Sequence, residues 1–94
     1  MKARKAREVA NGLVRKGFVV SKTHHNYYSL HVDGKKTSVH TKISHGAREC
    51  DSYILAQMAK QLHLDQNQLR DLFDCPLSYG EYVKILVRKK TITV

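Results

Sequence analysis

The stretch that decides the fold is residues 26–43, NYYSLHVDGKKTSVHTKI. Two β-prone runs of alternating side chains flank Asp33-Gly34, a dipeptide suited to the two left-handed positions of a tight hairpin turn. With those two residues as the loop, Val32 faces Lys35, and the same register sets His25 opposite Lys42 and Tyr27 opposite His40. One face then collects Tyr28, Leu30, Val32, Thr37, Val39, Thr41 and Ile43, an apolar surface ready to receive helices. The other collects His25, Tyr27, Ser29, His31, Lys36, Ser38, His40 and Lys42 and is open, polar and basic. A slip of one residue would scramble this partition, so its coherence supports the turn.

Upstream, residues 2–16 place Ala6, Val9, Ala10, Leu13 and Val14 at helical spacing, with Gly17 as the left-handed cap. FVVSKT, residues 18–23, reads as a first strand, NYYSLHV as a second and KTSVHTKI as a third. His24 falls on the core-facing side of this pattern, as a structural histidine. Downstream, a helix carrying Ile54, Leu55, Met58, Ala59 and Leu62 on one stripe begins near Asp51 or Ser52. Asp65 with Gln68 opens a short helix bearing Leu69, Leu72 and Phe73, which Pro76 ends. Ser78 with Glu81 forms a capping box ahead of Tyr82, Val83 and Leu86. The tail, Arg88-Lys89-Lys90 and TITV, reads equally as a frayed end or an edge strand. The expected fold is α+β and a single domain over 1–94. An αβββα core spans 1–62, its three-stranded antiparallel sheet packed by helices on one face, and a C-terminal helical extension covers 63–94.

A chain of 94 residues closes one core and leaves little for a second. No run approaches the roughly 18 apolar residues that span a bilayer, and the opening MKARKAREVA has no apolar segment behind it, so an intracellular, cytoplasmic and soluble protein is expected, with no membrane partner. Cys50 and Cys75 are too few for a four-thiolate zinc site and read as two ordinary thiols, a structural bridge being the alternative. The net charge of +9 is unevenly placed. Residues 1–48 hold eleven Lys and Arg against Glu8 and Asp33, whereas residues 49–94 hold six bases and six acids. A basic half joined to a neutral one suits a polyanion, because clustered cations displace the counterions condensed on phosphates. Five of the six histidines, His24, His25, His31, His40 and His45, share the basic half.

The order helix, three antiparallel strands, helix is that of the double-stranded-RNA-binding fold. Gly17-Phe18, then Lys22-Thr23-His24-His25-Asn26-Tyr27-Tyr28, then Asp33-Gly34-Lys35-Lys36-Thr37-Ser38-Val39-His40 resemble the HicA (YcfA-like) toxin family, small mRNA-cleaving partners of HicB antitoxins. The resemblance covers roughly residues 5–62. It departs at Lys22-Thr23, where the family carries Gly-Ser, in the connection TKISHGAREC, and in residues 65–94, which run past the family's usual end. It implies a metal-independent endoribonuclease with no cofactor, with His25 as the catalytic histidine, mRNA as substrate and a HicB-like antitoxin as protein partner.

Imidazole suits that chemistry, since it titrates near neutral pH and can take a proton from a ribose 2′-OH or return one to a leaving 5′-oxygen. Lys22, Lys36 and Lys42 are candidates to hold the scissile phosphate, Tyr27 to stack on a splayed base, and Lys35, His40, Arg4 and Arg7 to extend the RNA contact. The solvated-face alternative leaves His25 without a role. His31, His40 and His45 also invite a metal reading, and the face places His25, His31 and His40 on adjacent strands, but Lys36 beside His31 disfavours a cation and no carboxylate orients a ligand ring. Ser/His/Asp hydrolysis finds no nucleophile elbow. A second class of function is a non-catalytic RNA-binding module, in which the neutral C-terminal helices serve a partner or a homodimer. A third is an interaction protein whose basic face binds an acidic protein.

Overall fold

The computed structural model describes residues 2–74 and 76–92; Met1, Cys75, Thr93 and Val94 lie outside them, and with them the thiol reading of Cys75 and the end of the tail. The chain runs β1 (Arg4–Lys5), α1 (Ala6–Arg15), β2 (Phe18–Lys22), β3 (Asn26–Val32), β4 (Lys35–Ile43), β5 (Glu49–Cys50), α2 (Ser52–Gln61), α3 (Gln66–Asp74) and α4 (Tyr79–Arg88). Among the described residues it is an α+β arrangement of a three-stranded antiparallel sheet, in the order β2-β3-β4, with four helices. No helix among the described residues is long and apolar enough to cross a membrane.

The first helix starts at Ala6, the first residue of the apolar spacing, and not at residue 2. Arg4 and Lys5 are extended and pair antiparallel with Cys50 and Glu49, a contact between distant segments that no local pattern encodes. Ala6, Val9 and Leu13 form the buried stripe, but Val14 is 51% exposed. Each helical residue turns by about 100°, so Val14 follows Leu13 round onto the flank. Ile54, 40% exposed, stands off the Leu55, Met58, Ala59 and Leu62 stripe for the same reason. Gly17 ends α1 at φ +89°, and a Cβ there would lie 2.5 Å from the Tyr79 ring, so the position requires glycine on two counts.

Asp33 and Gly34 both take positive φ, 54° and 76°, as the mirror-image hairpin turn demands. Val32 faces Lys35 and His31 faces Lys36 as expected. The register then shifts by two, so that Ser29 faces His40, Tyr28 faces Thr41, Tyr27 faces Lys42 and Asn26 faces Ile43. This corrects the expected pairing of Tyr27 with His40 and of His25 with Lys42. The cause is Thr37: its hydroxyl donates to the Leu30 carbonyl at 2.8 Å and accepts from the Val39 amide at 3.2 Å, standing in for ladder bonds where β4 bulges. A shift of two keeps every side chain on its own face. Tyr28, Leu30, Val32, Val39, Thr41 and Ile43 are therefore buried as predicted, with Thr37 half-buried.

The three later helices start where the capping residues say they should. Asp51 accepts from the Ile54 amide, Asp65 and Gln68 exchange bonds reciprocally, and Ser78 and Glu81 do the same. Bonding from Ser78 holds the Glu81 carboxyl below the usual carboxylate range. These helices close the same core as the sheet. Tyr82 stacks on Phe18 with ring centres 6.1 Å apart, and its buried hydroxyl, made less acidic by that burial, donates to the Leu62 carbonyl. Lys16 is buried with its ammonium on the Leu77 carbonyl at 2.6 Å, and the Tyr79 hydroxyl donates to the His31 carbonyl at 3.0 Å. One buried cluster thus runs from Ala6 to Ile92, through 1–62 and 63–94 alike. In the tail, Thr91 and Ile92 are neither helix nor strand, and buried Ile92 lines a hollow with Val32 and Thr37 beside the hairpin turn.

Candidate functional site

The helices cover one face of the sheet, and strand alternation leaves the other to Val19 and Ser21 of β2, Tyr27, Ser29 and His31 of β3, and Lys36, Ser38, His40 and Lys42 of β4. Its rows follow from the observed pairing. Ser21, Tyr27 and Lys42 lie side by side, then Val19, Ser29 and His40, then His31 and Lys36. Ser29, small and flanked by longer neighbours, forms the floor of a shallow depression of about 390 Å³ that Tyr27, Ser38, His40 and Lys36 help to wall. No carboxylate stands on this face among the described residues, and Asp33 is exposed at the turn. Its cations Lys36 and Lys42 are therefore unneutralised, and a low, serine-floored hollow beside an aromatic ring suits a planar group held near an anion. The His40 ring is fixed by an Nδ1–H bond to the Ser38 carbonyl at 2.9 Å.

His25 stands at one end of this face and not on a strand. Lys22 pairs with Asn26, so residues 23–25 form a three-residue loop, closed by a bond from the Thr23 amide to the His25 carbonyl at 3.2 Å. The half-buried His25 ring meets the Tyr27 ring edge-on, with centres 6.1 Å apart and planes at 80°. Since Tyr27 faces Lys42, the three side chains expected to act together are brought to one corner, by way of Tyr27 and not by direct opposition of His25 and Lys42. The His25 Nδ1 is buried without a hydrogen-bond partner, and so is the neighbouring Asn26 Oδ1. Buried polar atoms are normally satisfied, which sets this corner apart. His24 is exposed in the loop, a correction to its expected core-facing position: the strand alternation on which that rested stops at Asn26.

The remaining sequence candidates are scattered. Lys22 and Lys35 are exposed at opposite ends of the sheet, in register with residues of the covered face. Arg7 is exposed on α1, within the helical layer. Arg4 binds Asp74 through two bonds of 2.8 Å and lies over the Phe73 ring at 5.4 Å. Hydrogen bonding from Arg4 holds the Asp74 carboxyl below its usual range and raises the guanidinium in turn. Its planar fork is thus committed to α3.

The sequence marked His45 only as a candidate metal ligand and gave it no part in RNA binding or cleavage. It belongs to loop 44–48, yet its Nε2–H donates to the Thr23 carbonyl at 3.1 Å, inside the loop that carries His25. The signal available was the composition of Ser44-His45-Gly46, a polar turn directly after the strand bearing Lys42. Tyr28 and Cys50 lie on the covered side, where burial pushes the phenol and the thiol up, and neither serves as a nucleophile there at neutral pH. Among the described residues no three His, Cys, Asp or Glu side chains converge as metal ligands would. Compared with protein-family models, curated proteins and solved structures, the chain matches none.

Proposed function

We propose that the open face binds RNA and that His25 cleaves it, in the manner of the HicA toxins that the segments 17–28 and 33–40 resemble. The observation that carries this reading is the corner where an imidazole with an unpaired, buried Nδ1 abuts an aromatic ring in line with a lysine, on a face without carboxylates among the described residues. In this reading an unpaired base stacks on Tyr27 over the serine-floored hollow, and Lys42 and Lys36 hold the backbone phosphates. The His25 imidazole removes the proton from the ribose 2′-OH, whose oxygen attacks the adjacent phosphorus. The bond to the 5′-oxygen breaks, and that oxygen departs with a proton returned by imidazolium or water, leaving a 2′,3′-cyclic phosphate and a 5′-hydroxyl. Lys42 offsets the charge that builds on the pentavalent phosphorus, a contribution worth several kcal/mol in comparable sites. The nucleophile is internal to the substrate, so the step needs no metal or other cofactor. The elements α1, β2, β3, β4 and α2 correspond, in this proposal, to the αβββα order of the double-stranded-RNA-binding fold. An acidic or apolar antitoxin surface covering Tyr27, Lys42 and His25 would steer itself to the site and block substrate, within the cytoplasm where mRNA is met.

A second reading, a non-catalytic RNA-binding module, is favoured by the displacement of His25 from a strand into a loop. One experiment separates the two. The protein and its His25→Ala variant are incubated in chelator with a pool of single-stranded and structured RNA, and both cleavage and mobility shift are scored. Cleavage by the wild type, lost in the variant with the shift retained, supports the nuclease, and Lys36→Ala or Lys42→Ala then weakens both activities. A shift without cleavage in either protein leaves the binding module. Equal loss of shift and cleavage in His25→Ala makes His25 a contact residue and removes it from the chemistry.

A further inference from the structure

The end of the sheet remote from the Asp33-Gly34 turn is where two loops meet, and a single imidazole joins them. Thr23 is held from both sides: its amide donates to the His25 carbonyl at 3.2 Å, and its carbonyl accepts from His45 Nε2 at 3.1 Å. A carbonyl can only accept, so the bond requires a proton on His45 Nε2. The two loops differ in how firmly they are built. His45 sits in a turn closed by the bond from the Ala47 amide to the Ser44 carbonyl, with Gly46 at φ +78°. That turn is tied to the body of the protein one step later, where the Ala6 amide donates to the Arg48 carbonyl at 2.9 Å. Loop 23–25, by contrast, has one internal backbone bond, and among the described residues the His45 ring supplies its hydrogen bond to another element.

We infer that His45 is a positioning residue for His25: through Thr23 it holds the loop so that the His25 ring stays against Tyr27. The inference rests on the reading of His25 as the proton-transfer group. Without the tie, the His25 imidazole swings out of line with the row of Tyr27 and Lys42, and small misplacements of a catalytic group cost up to about 100-fold in rate. His45 acts in this way through its Nε2–H alone and takes no proton from substrate, which distinguishes it from a second acid or base.

The test compares His45→Ala with His45→Gln in the full chain, because a glutamine amide can present an N–H at about the reach of Nε2. Two readouts are taken: the rate and pH profile of RNA cleavage, and the hydrogen exchange of the amides in loop 23–25 together with the cross-relaxation between the His25 and Tyr27 rings. For His45→Ala, kcat falls roughly 10- to 100-fold with KM little changed, both limbs of the pH profile stay in place, loop exchange accelerates and the ring contact weakens. His45→Gln restores most of the rate, the slow exchange and the ring contact. A glutamine variant as inactive as the alanine variant, with one limb of the pH profile lost, overturns the inference in favour of proton transfer by His45 itself. Unchanged loop exchange and ring contact in His45→Ala overturn it as well. If the wild type cleaves no RNA, the reading of the function fails, while loop exchange and ring contact still decide whether His45 positions His25.

Discussion

The two ends of the sheet are built on opposite plans. At the hairpin end the turn is set by Asp33 and Gly34, and α4 then docks onto it. The Tyr79 hydroxyl caps the His31 carbonyl, the Tyr79 ring closes over Gly17, and Ile92 packs beside Val32. At the opposite end two loops are joined by one imidazole-to-carbonyl bond, and two buried polar atoms, His25 Nδ1 and Asn26 Oδ1, go unpaired. Satisfied polar groups and close packing stabilise the first end, whereas the second carries the desolvation penalty of unmet hydrogen bonds. Such unmet groups are a cost that a fold carries at particular sites and offsets elsewhere, and here it falls beside Tyr27 and Lys42 on the basic face.

The contrast breaks most sharply at Gly17. Gly17→Ala introduces a Cβ 2.5 Å from the Tyr79 ring at φ +89°, adding left-handed strain to overlap and pushing α4 from the hairpin end. The expected loss is about 2–4 kcal/mol, read as a fall of roughly 10–25 °C in Tm. An unchanged Tm would mean that α4 does not brace this end. A smaller effect is expected at Thr37, which lies between the two ends. Thr37→Val keeps the shape but removes the bonds to the Leu30 carbonyl and the Val39 amide, for a loss of about 1–2 kcal/mol in denaturant unfolding. Thr37→Ser retains the hydroxyl and should recover most of it. If valine and serine behave alike, the hydroxyl does not pin the register shift.

The same division governs what was legible in the sequence. Asp33-Gly34, the Asp65 and Gln68 pair and the Ser78 and Glu81 pair are local signals, each placing an element correctly, because the responsible bonds lie within a few residues. The two faces were legible despite a mistaken register, since the Thr37 bulge shifts β4 by two and the alternation has a period of two. What was not legible depends on distant partners. Nothing in Arg4 announces Asp74, nothing in Lys5 announces Glu49, and nothing in Thr23-His24-His25 marks a three-residue loop, which arises because Lys22 pairs with Asn26. The candidate site inherits this limit. Tyr27, Lys36, His40 and Lys42 were placed by alternation, whereas the position of His25 and the part played by His45 follow from loops that tertiary contacts shape.

The loop end should accordingly be cheap to alter in stability. His25→Ala removes an unpaired buried nitrogen along with the ring contact to Tyr27, and the two effects offset. Unfolding in urea should shift by no more than about 0.5 kcal/mol. A loss of several kcal/mol would show that His25 is a structural histidine and would end the distinction drawn between the two ends.

The smallest effect lies away from both ends, at the ion pair of Arg4 and Asp74, and it serves as a control on the pH dependence of the others. Arg4 holds the Asp74 carboxyl below its usual range in the folded chain, while in the unfolded chain that group titrates near the ordinary value of about 3.9. A depressed folded pKa means that the unfolded chain binds the proton more readily, so the contribution is fully present above pH of about 5 and is lost as pH falls through the folded value. The Asp74 side chain is 46% exposed, and solvent screening limits the pair to a few tenths of a kcal/mol. Wild type and Asp74→Asn unfolded in urea at pH 7 and again at pH 3 should therefore differ slightly at the first and converge toward the second. Added salt narrows the difference at pH 7. A difference that widens on acidification would reverse the sign of the linkage and show that the carboxyl is destabilised where it sits, in which case Arg4 is not held by Asp74 and its fork is free for phosphate.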